Sequence, residues 1–138
     1  KLHNGNPLEL KKVYFKSLKL MAVSGLAILA VYFFALPAVI EILLPDYLSA
    51  TKAIKVLSLS LPFIFLATPG VQLLLSTEKY LKQVLLLSVF TLVFNVALNL
   101  VVIPKFGFLA AAWITVASDA LSFLIFFLFI KYQILNRR

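Results

Sequence analysis

The chain has 138 residues, 63% hydrophobic and 13% charged, against roughly 45–50% and 25% in a soluble domain, which excludes a water-soluble core. Its formal charge of +8 would suit nucleic acid in a soluble protein, but here the lysines flank long apolar runs, so no nucleic-acid partner is expected. Without cysteine there is neither a disulfide framework nor a thiolate metal site.

The first residues are polar, and His3 stands there without a carboxylate or thiol cluster, so no metal and no cofactor is expected. Asn6, Pro7 and Glu9 form a helix-start signal: a capping amide, proline at the first helical position and a carboxylate near the positive helix end. Lys11, Lys12, Lys16 and Lys19 then alternate with Leu10, Val13, Tyr14 and Phe15, as expected of an anchor at a membrane interface. Leu20 to Ile40 follows as 21 uncharged residues, more than the roughly 18 that argue for a membrane-crossing helix. Its eleven Leu, Ile, Val or Phe favour insertion by roughly 3–7 kcal/mol, which Gly25 and Pro37 do not reverse. The run is too long, and starts too late, for a cleaved signal peptide.

Pro45, Asp46 and Tyr47 break the pattern, with Glu41 at the rim and Ser49 or Thr51 available to cap the next helix. That helix carries Pro62 and Pro69, each removing a backbone hydrogen bond, so a kinked or discontinuous segment is expected. Such breaks recur at transporter binding sites, although prolines are also commoner in membrane helices generally. Thr77, Glu78 and Lys79 mark a short turn, which makes the second and third helices an antiparallel hairpin. The third run, Gln83 to Pro104, is uncharged and ends at Pro104, Lys105 and Gly107; the fourth, Phe106 to Ile130, is interrupted only by Asp119. The fold expected is therefore an all-α integral membrane bundle of four antiparallel transmembrane helices, over about residues 17–40, 54–76, 79–103 and 107–131.

Charge orients the bundle. Lys1, Lys11, Lys12, Lys16, Lys19, Lys79, Lys82, Lys131, Arg137 and Arg138 fall on one side, and Lys52, Lys55 and Lys105 on the other. Ten basic residues against three place both termini in the cytoplasm, across the cell membrane.

Few polar residues lie inside the runs. Ser88, Thr91, Asn95 and Asn99 share one face of the third helix, which either hydrogen-bonds a neighbour, at roughly 0.6 to 2 kcal/mol per bond, or walls a polar cavity. On the fourth helix Gly107, Ala111, Thr115, Ser118 and Ser122 form a face of small side chains, with Trp113 opposite. Asp119 borders that face and is expected to point into the bundle, as a coupling or substrate contact or as hydrogen-bonded glue. Its cost of roughly 2.5–3.5 kcal/mol is outweighed by the apolar residues of the same span.

Two segments resemble signatures of the oligosaccharide and polysaccharide flippases in the multidrug/oligosaccharidyl-lipid/polysaccharide exporter superfamily. One is Asn95-Val96-Ala97-Leu98-Asn99 running into Ile103-Pro104-Lys105-Phe106-Gly107, Ala110-Ala111-Ala112, Thr115 and Ser118-Asp119. The other is Leu43-Leu44-Pro45-Asp46-Tyr47 followed by Ala53, Val56-Leu57 and Leu61-Pro62-Phe63; Leu44 and Ala110 stand where such proteins usually have glycine. The resemblance implies part of a two-lobed transporter of about 12 to 14 helices that moves lipid-linked sugars by alternating access, this chain being similar to helices nine to twelve. The chain begins at Lys1 without Met, and it is expected to be a segment of a longer polypeptide whose other helices supply the remaining contacts. A self-contained four-helix cation exporter is the alternative, but such proteins place an essential acid in the first helix and Leu20 to Ile40 has none. A non-transporting assembly subunit is the third reading. An enzyme is not expected, because one buried acid and one terminal histidine do not make a metal-binding or phosphate-cleaving constellation.

Overall fold

The computed structural model describes residues 7–76 and 78–135. The expectations for Lys1, His3, Asn6, Thr77, Arg137 and Arg138 fall outside the described residues. All regular structure among the described residues is helical.

The first rod is longer than its apolar run. Helix α1 (Pro7–Ala30) passes through a π turn, Val31–Ala35, into α2 (Leu36–Leu43). Together these residues reach roughly 55 Å, beyond the 40–45 Å of a whole bilayer, so the lysine-bearing end projects past the apolar layer. The π turn has a local cause. Pro37 has no N–H to donate and its ring crowds the preceding turn, and the Leu36 N–H donates to the Val31 carbonyl, five residues back.

The second rod is broken where a proline makes breaking easy. A 3₁₀ turn (Pro45–Ala50) leads into α3 (Thr51–Ser58), and after Leu59 and Ser60 the chain resumes as α4 (Leu61–Leu75) with Pro62 in its first turn. There the missing N–H costs nothing. The freed carbonyls find local donors: Leu59 and Ser60 N–H groups reach Val56 and Leu57 at 3.0 Å each, and the Ser58 hydroxyl donates to Lys55 at 2.7 Å. Pro69, by contrast, lies inside α4 without ending it. Neither Ser49 nor Thr51 caps α3. Ala50 holds the cap position and the Thr51 hydroxyl is buried without a partner, because the 3₁₀ turn already leads continuously into the helix.

After a short 3₁₀ turn (Glu78–Tyr80) the chain enters α5 (Leu81–Ile130), which holds a single non-helical residue, Gly107, at φ 72° and ψ −172°. Asn95 and Ser118 would be roughly 34 Å apart on a straight helix. Their side chains are 3.0 Å apart. Helix α5 is therefore a hairpin, its first arm (81–106) folded back on its second (108–130). The reversal comes at Gly107 and not at Pro104, which stays within the first arm. Only glycine adopts this backbone conformation without strain, and nothing lies within 4 Å of where a Cβ would be, so the requirement is conformational rather than spatial.

Helix α4 is the middle layer, packed on α1 at one side and on α5 at the other, with α3 also against α5. Two glycines permit the approach. A Cβ on Gly25 would sit 3.0 Å from the Phe65 Cβ and 3.1 Å from the Pro62 Cα; one on Gly70 would lie 2.6 Å from the Ile130 Cδ1. The main core, made of Tyr14, Leu74, Val84, Phe126 and Ile130, closes one end of the bundle. By chain position the lysines at 11, 12, 16, 79, 82 and 131 gather around this end. Elsewhere the apolar surface is turned outward: Leu85, Leu92 and Leu100 on the first arm of α5 are 63%, 62% and 72% exposed, and Trp113 on the second arm is exposed as expected. Three helical stretches, Glu9–Leu43, Pro45–Leu75 and Leu81–Ile130, are long and apolar enough to cross a membrane, and the last of them is the hairpin. Such a surface is stable in lipid and unstable in water.

Candidate functional site

Polar side chains from three elements meet halfway along the bundle. Asp119 lies 12 residues from Gly107 and 11 from Ile130, roughly 18 and 16 Å from either end of its arm. It is half-buried, and its carboxylate faces the hydroxyl of Ser60, which is 6% exposed in the gap between α3 and α4. Beside it Ser118 accepts from the Asn95 Nδ2 at 3.0 Å, and Asn95 Oδ1 accepts from the Asn99 Nδ2 at 2.9 Å. The Asn99 Oδ1 is buried with no partner. A break in one helix thus faces an acid on a second and an amide ladder on a third.

The sequence-derived candidates divide. Asn95, Asn99 and Asp119 join this cluster. Thr91 does not: its hydroxyl turns back on its own helix, to the Leu87 and Ser88 carbonyls at 3.1 and 3.0 Å. Ser88 is exposed. The polar face of the first arm therefore contacts its neighbour only in the half nearer Gly107. Pro62 stands in the first turn after the gap that holds Ser60, whereas Pro69 lies farther along α4. On the second arm Ser118 is buried as expected, but the row beyond it is Ala112 and Val116 rather than Ala111 and Thr115. Thr115 donates to the Ala111 carbonyl of its own helix at 3.1 Å.

Three features escaped sequence reasoning. Ser60 sits in the interhelical gap, where helical periodicity assigns no face. Thr68 and Gln72 lie one helical turn apart on the exposed face of α4, a spacing that was available in the sequence beside the more conspicuous prolines. Lys55, counted with an outer connection, belongs to α3, half-buried, its Nζ 5.5 Å from the centre of the Phe33 ring in the π turn. That cation–π contact offsets part of the cost of a cation near lipid.

From Asp119 a groove of about 290 Å³ runs along α4 past Ser122, Thr68 and Gln72. A second, of about 310 Å³, lies on the other flank of α4 between it and α1, and also touches Thr68 and Gln72. The site offers a carboxylate, hydroxyls and amide oxygens. This donor set suits a proton or a small hard cation better than a soft transition metal, and no group of three His, Asp or Glu exists among the described residues.

Comparison with known proteins gives one relative of note, the uncharacterized membrane protein MJ1068 of Methanocaldococcus jannaschii, 35% identical over 136 residues. The match covers 93% of this chain and 25% of the relative, so the chain spans a quarter of that protein's length. No protein-family model matches the chain, and no solved structure does. The chain is a membrane protein whose regular structure, among the described residues, is helical.

The Asn95–Ser118 bond also sets a stability prediction. In a double-mutant cycle with Asn95→Ala and Ser118→Ala in detergent, the coupling should be about 0.6 kcal/mol, and at most about 2. Zero coupling would mean that the hairpin is held by Gly107 and apolar packing alone.

Proposed function

We propose that this chain is a four-span part of one lobe of a transporter that flips lipid-linked oligosaccharide or polysaccharide precursors across the cytoplasmic membrane by alternating access. Both termini face the cytoplasm. The observation that carries the reading is the mid-depth cluster of Ser60, Asn95, Ser118 and Asp119 beside a discontinuous helix, because broken helices and intramembrane acids mark substrate and ion pathways. The resemblance adds to it: Asn95 and Asn99 open the flippase-like motif, Ser118 and Asp119 close it, and the hairpin brings the two ends into contact. Lysines gathered at one end favour the stated orientation. A relative of about four times this length has room for the second lobe.

The test is reconstitution. The full polypeptide carrying this chain is placed in liposomes with a fluorescent lipid-linked oligosaccharide, and the fraction of label reachable by an impermeant quencher is followed. Protein-dependent transfer between leaflets is the expected result, and transfer no faster than in protein-free liposomes rejects the assignment. Efflux of small cations by residues 1–138 alone would instead favour a self-contained exporter.

A further inference from the structure

We infer that the groove from Asp119 to Gln72 is a water-filled path that opens Asp119 to solution at the lysine-rich end of the bundle.

Its course follows from the residues that line it. Asp119 marks the middle of the second arm, and Ser122 lies one turn closer to the Ile130 end. On the facing helix Thr68 and Gln72 are two and three turns past Ser60, the partner of Asp119. Gln72 is thus roughly 18 Å along α4 from the mid-depth cluster, slightly more than half the thickness of a bilayer's hydrocarbon layer. It stands one turn from Ser76, and the next cations along the chain are Lys79 and Lys82. The polar groups therefore form a descending series from the centre to the boundary: Asp119, Ser122, Thr68, Gln72.

The contents of the groove follow from its chemistry. Thr68 and Gln72 are exposed on α4; Gln72 stands at the boundary, where water reaches its amide, and Thr68 lies one turn deeper, where an unhydrated polar group is costly. The Thr68 hydroxyl reaches the Ile64 carbonyl at 2.9 Å, which satisfies its proton but leaves its lone pairs free. A volume of about 290 Å³ accommodates up to about nine waters at roughly 30 Å³ each, and each needs two to four polar partners. Asp119 and Ser122 on one wall and Thr68 and Gln72 on the other supply those partners, while Phe63, Ile64, Ala67 and Val71 complete the lining. The first arm of α5 offers the contrast: Leu92 and Val93, at the depth of Ser122, face outward among apolar neighbours.

The inference rests on the membrane placement of the helices and not on the identity of any transported lipid. Because the sequence has no cysteine, single cysteines read the path directly. Ser122→Cys, Gln72→Cys and the depth-matched control Leu92→Cys are made in the full polypeptide, with any cysteine outside residues 1–138 replaced, and each is exposed to a membrane-impermeant maleimide in sealed vesicles of either orientation. Only a hydrated thiol ionises and reacts, so Ser122→Cys should label at least about tenfold faster than Leu92→Cys, and only from the lysine-rich face. Gln72→Cys, at the mouth, should label fastest. Labelling of Ser122→Cys no faster than that of Leu92→Cys, or from the opposite face alone, overturns the path. The readout requires no transport, so a failure to flip lipid and a failure to label are separate results.

Discussion

Gly25→Leu is expected to force α1 and α4 apart and to destabilise the bundle more than any other single apolar substitution on α1. The position has no spare volume: even a methyl group would meet the Phe65 Cβ at 3.0 Å and the Pro62 Cα at 3.1 Å. Neither neighbour can rotate away, since one is backbone and the other is fixed to it. In lipid no hydrophobic gain compensates for the lost approach, because the separated helices are solvated as well as before. Overpacking of this kind costs about 1–3 kcal/mol for one added methyl, and more for leucine. Displacing Pro62 also moves Ser60, two residues earlier, off Asp119, so the damage reaches the polar cluster. Ala27→Leu, on an exposed face of the same helix two residues away, should be close to neutral. Thermal unfolding in detergent orders the variants as wild type and Ala27→Leu, then Gly25→Ala, then Gly25→Leu. Equal midpoints for Gly25→Leu and Ala27→Leu would show that the α1–α4 crossing contributes little.

Much of this arrangement could be read from the chain, in proportion to how local its cause is. The reversal near Gly107 and the break near Pro62 arise from residues that act on their own backbone, so sequence located both to within a few residues. The inward side of Asp119 followed from periodicity alone. Partners were less legible. A helical face names residues that share a direction but not what they meet, so Ser88 and Thr91 joined Asn95 and Asn99 on paper although only Asn95 bonds the second arm, with Asn99 bonded in turn to Asn95. Ser60 was invisible for the complementary reason, since the two residues between α3 and α4 belong to no helical face. The π turn at Val31–Ala35 was missed because Pro37 was weighed only for its effect on insertion, a sum over the whole of Leu20 to Ile40, while its geometric effect falls on a single turn.

Asp119→Asn separates the two roles open to the intramembrane acid, and on the proposed reading it lowers the flipping rate about 5–150-fold, the span of a typical coupling free energy between sites. Asparagine matches aspartate in size and retains an oxygen to accept from Ser60, so the contact between the second arm and the helix break survives. What disappears is the ability to carry charge and exchange a proton or small cation. Helix glue needs only the hydrogen bond, and an asparagine that sustains normal flipping would assign Asp119 to packing. Ser60→Ala gives the reverse test. It leaves the carboxylate in place and deletes the hydroxyl that faces it, a polar contact between membrane helices worth at most about 2 kcal/mol. A coupling acid should survive that loss with a small change in rate and a lower unfolding midpoint, whereas a purely structural acid should show Ser60→Ala and Asp119→Ala as equivalent in both measurements. Rate and midpoint must therefore be measured on the same reconstituted preparation, because loss of both in Asp119→Asn is the pattern of misfolding, and loss of rate alone is the pattern of coupling.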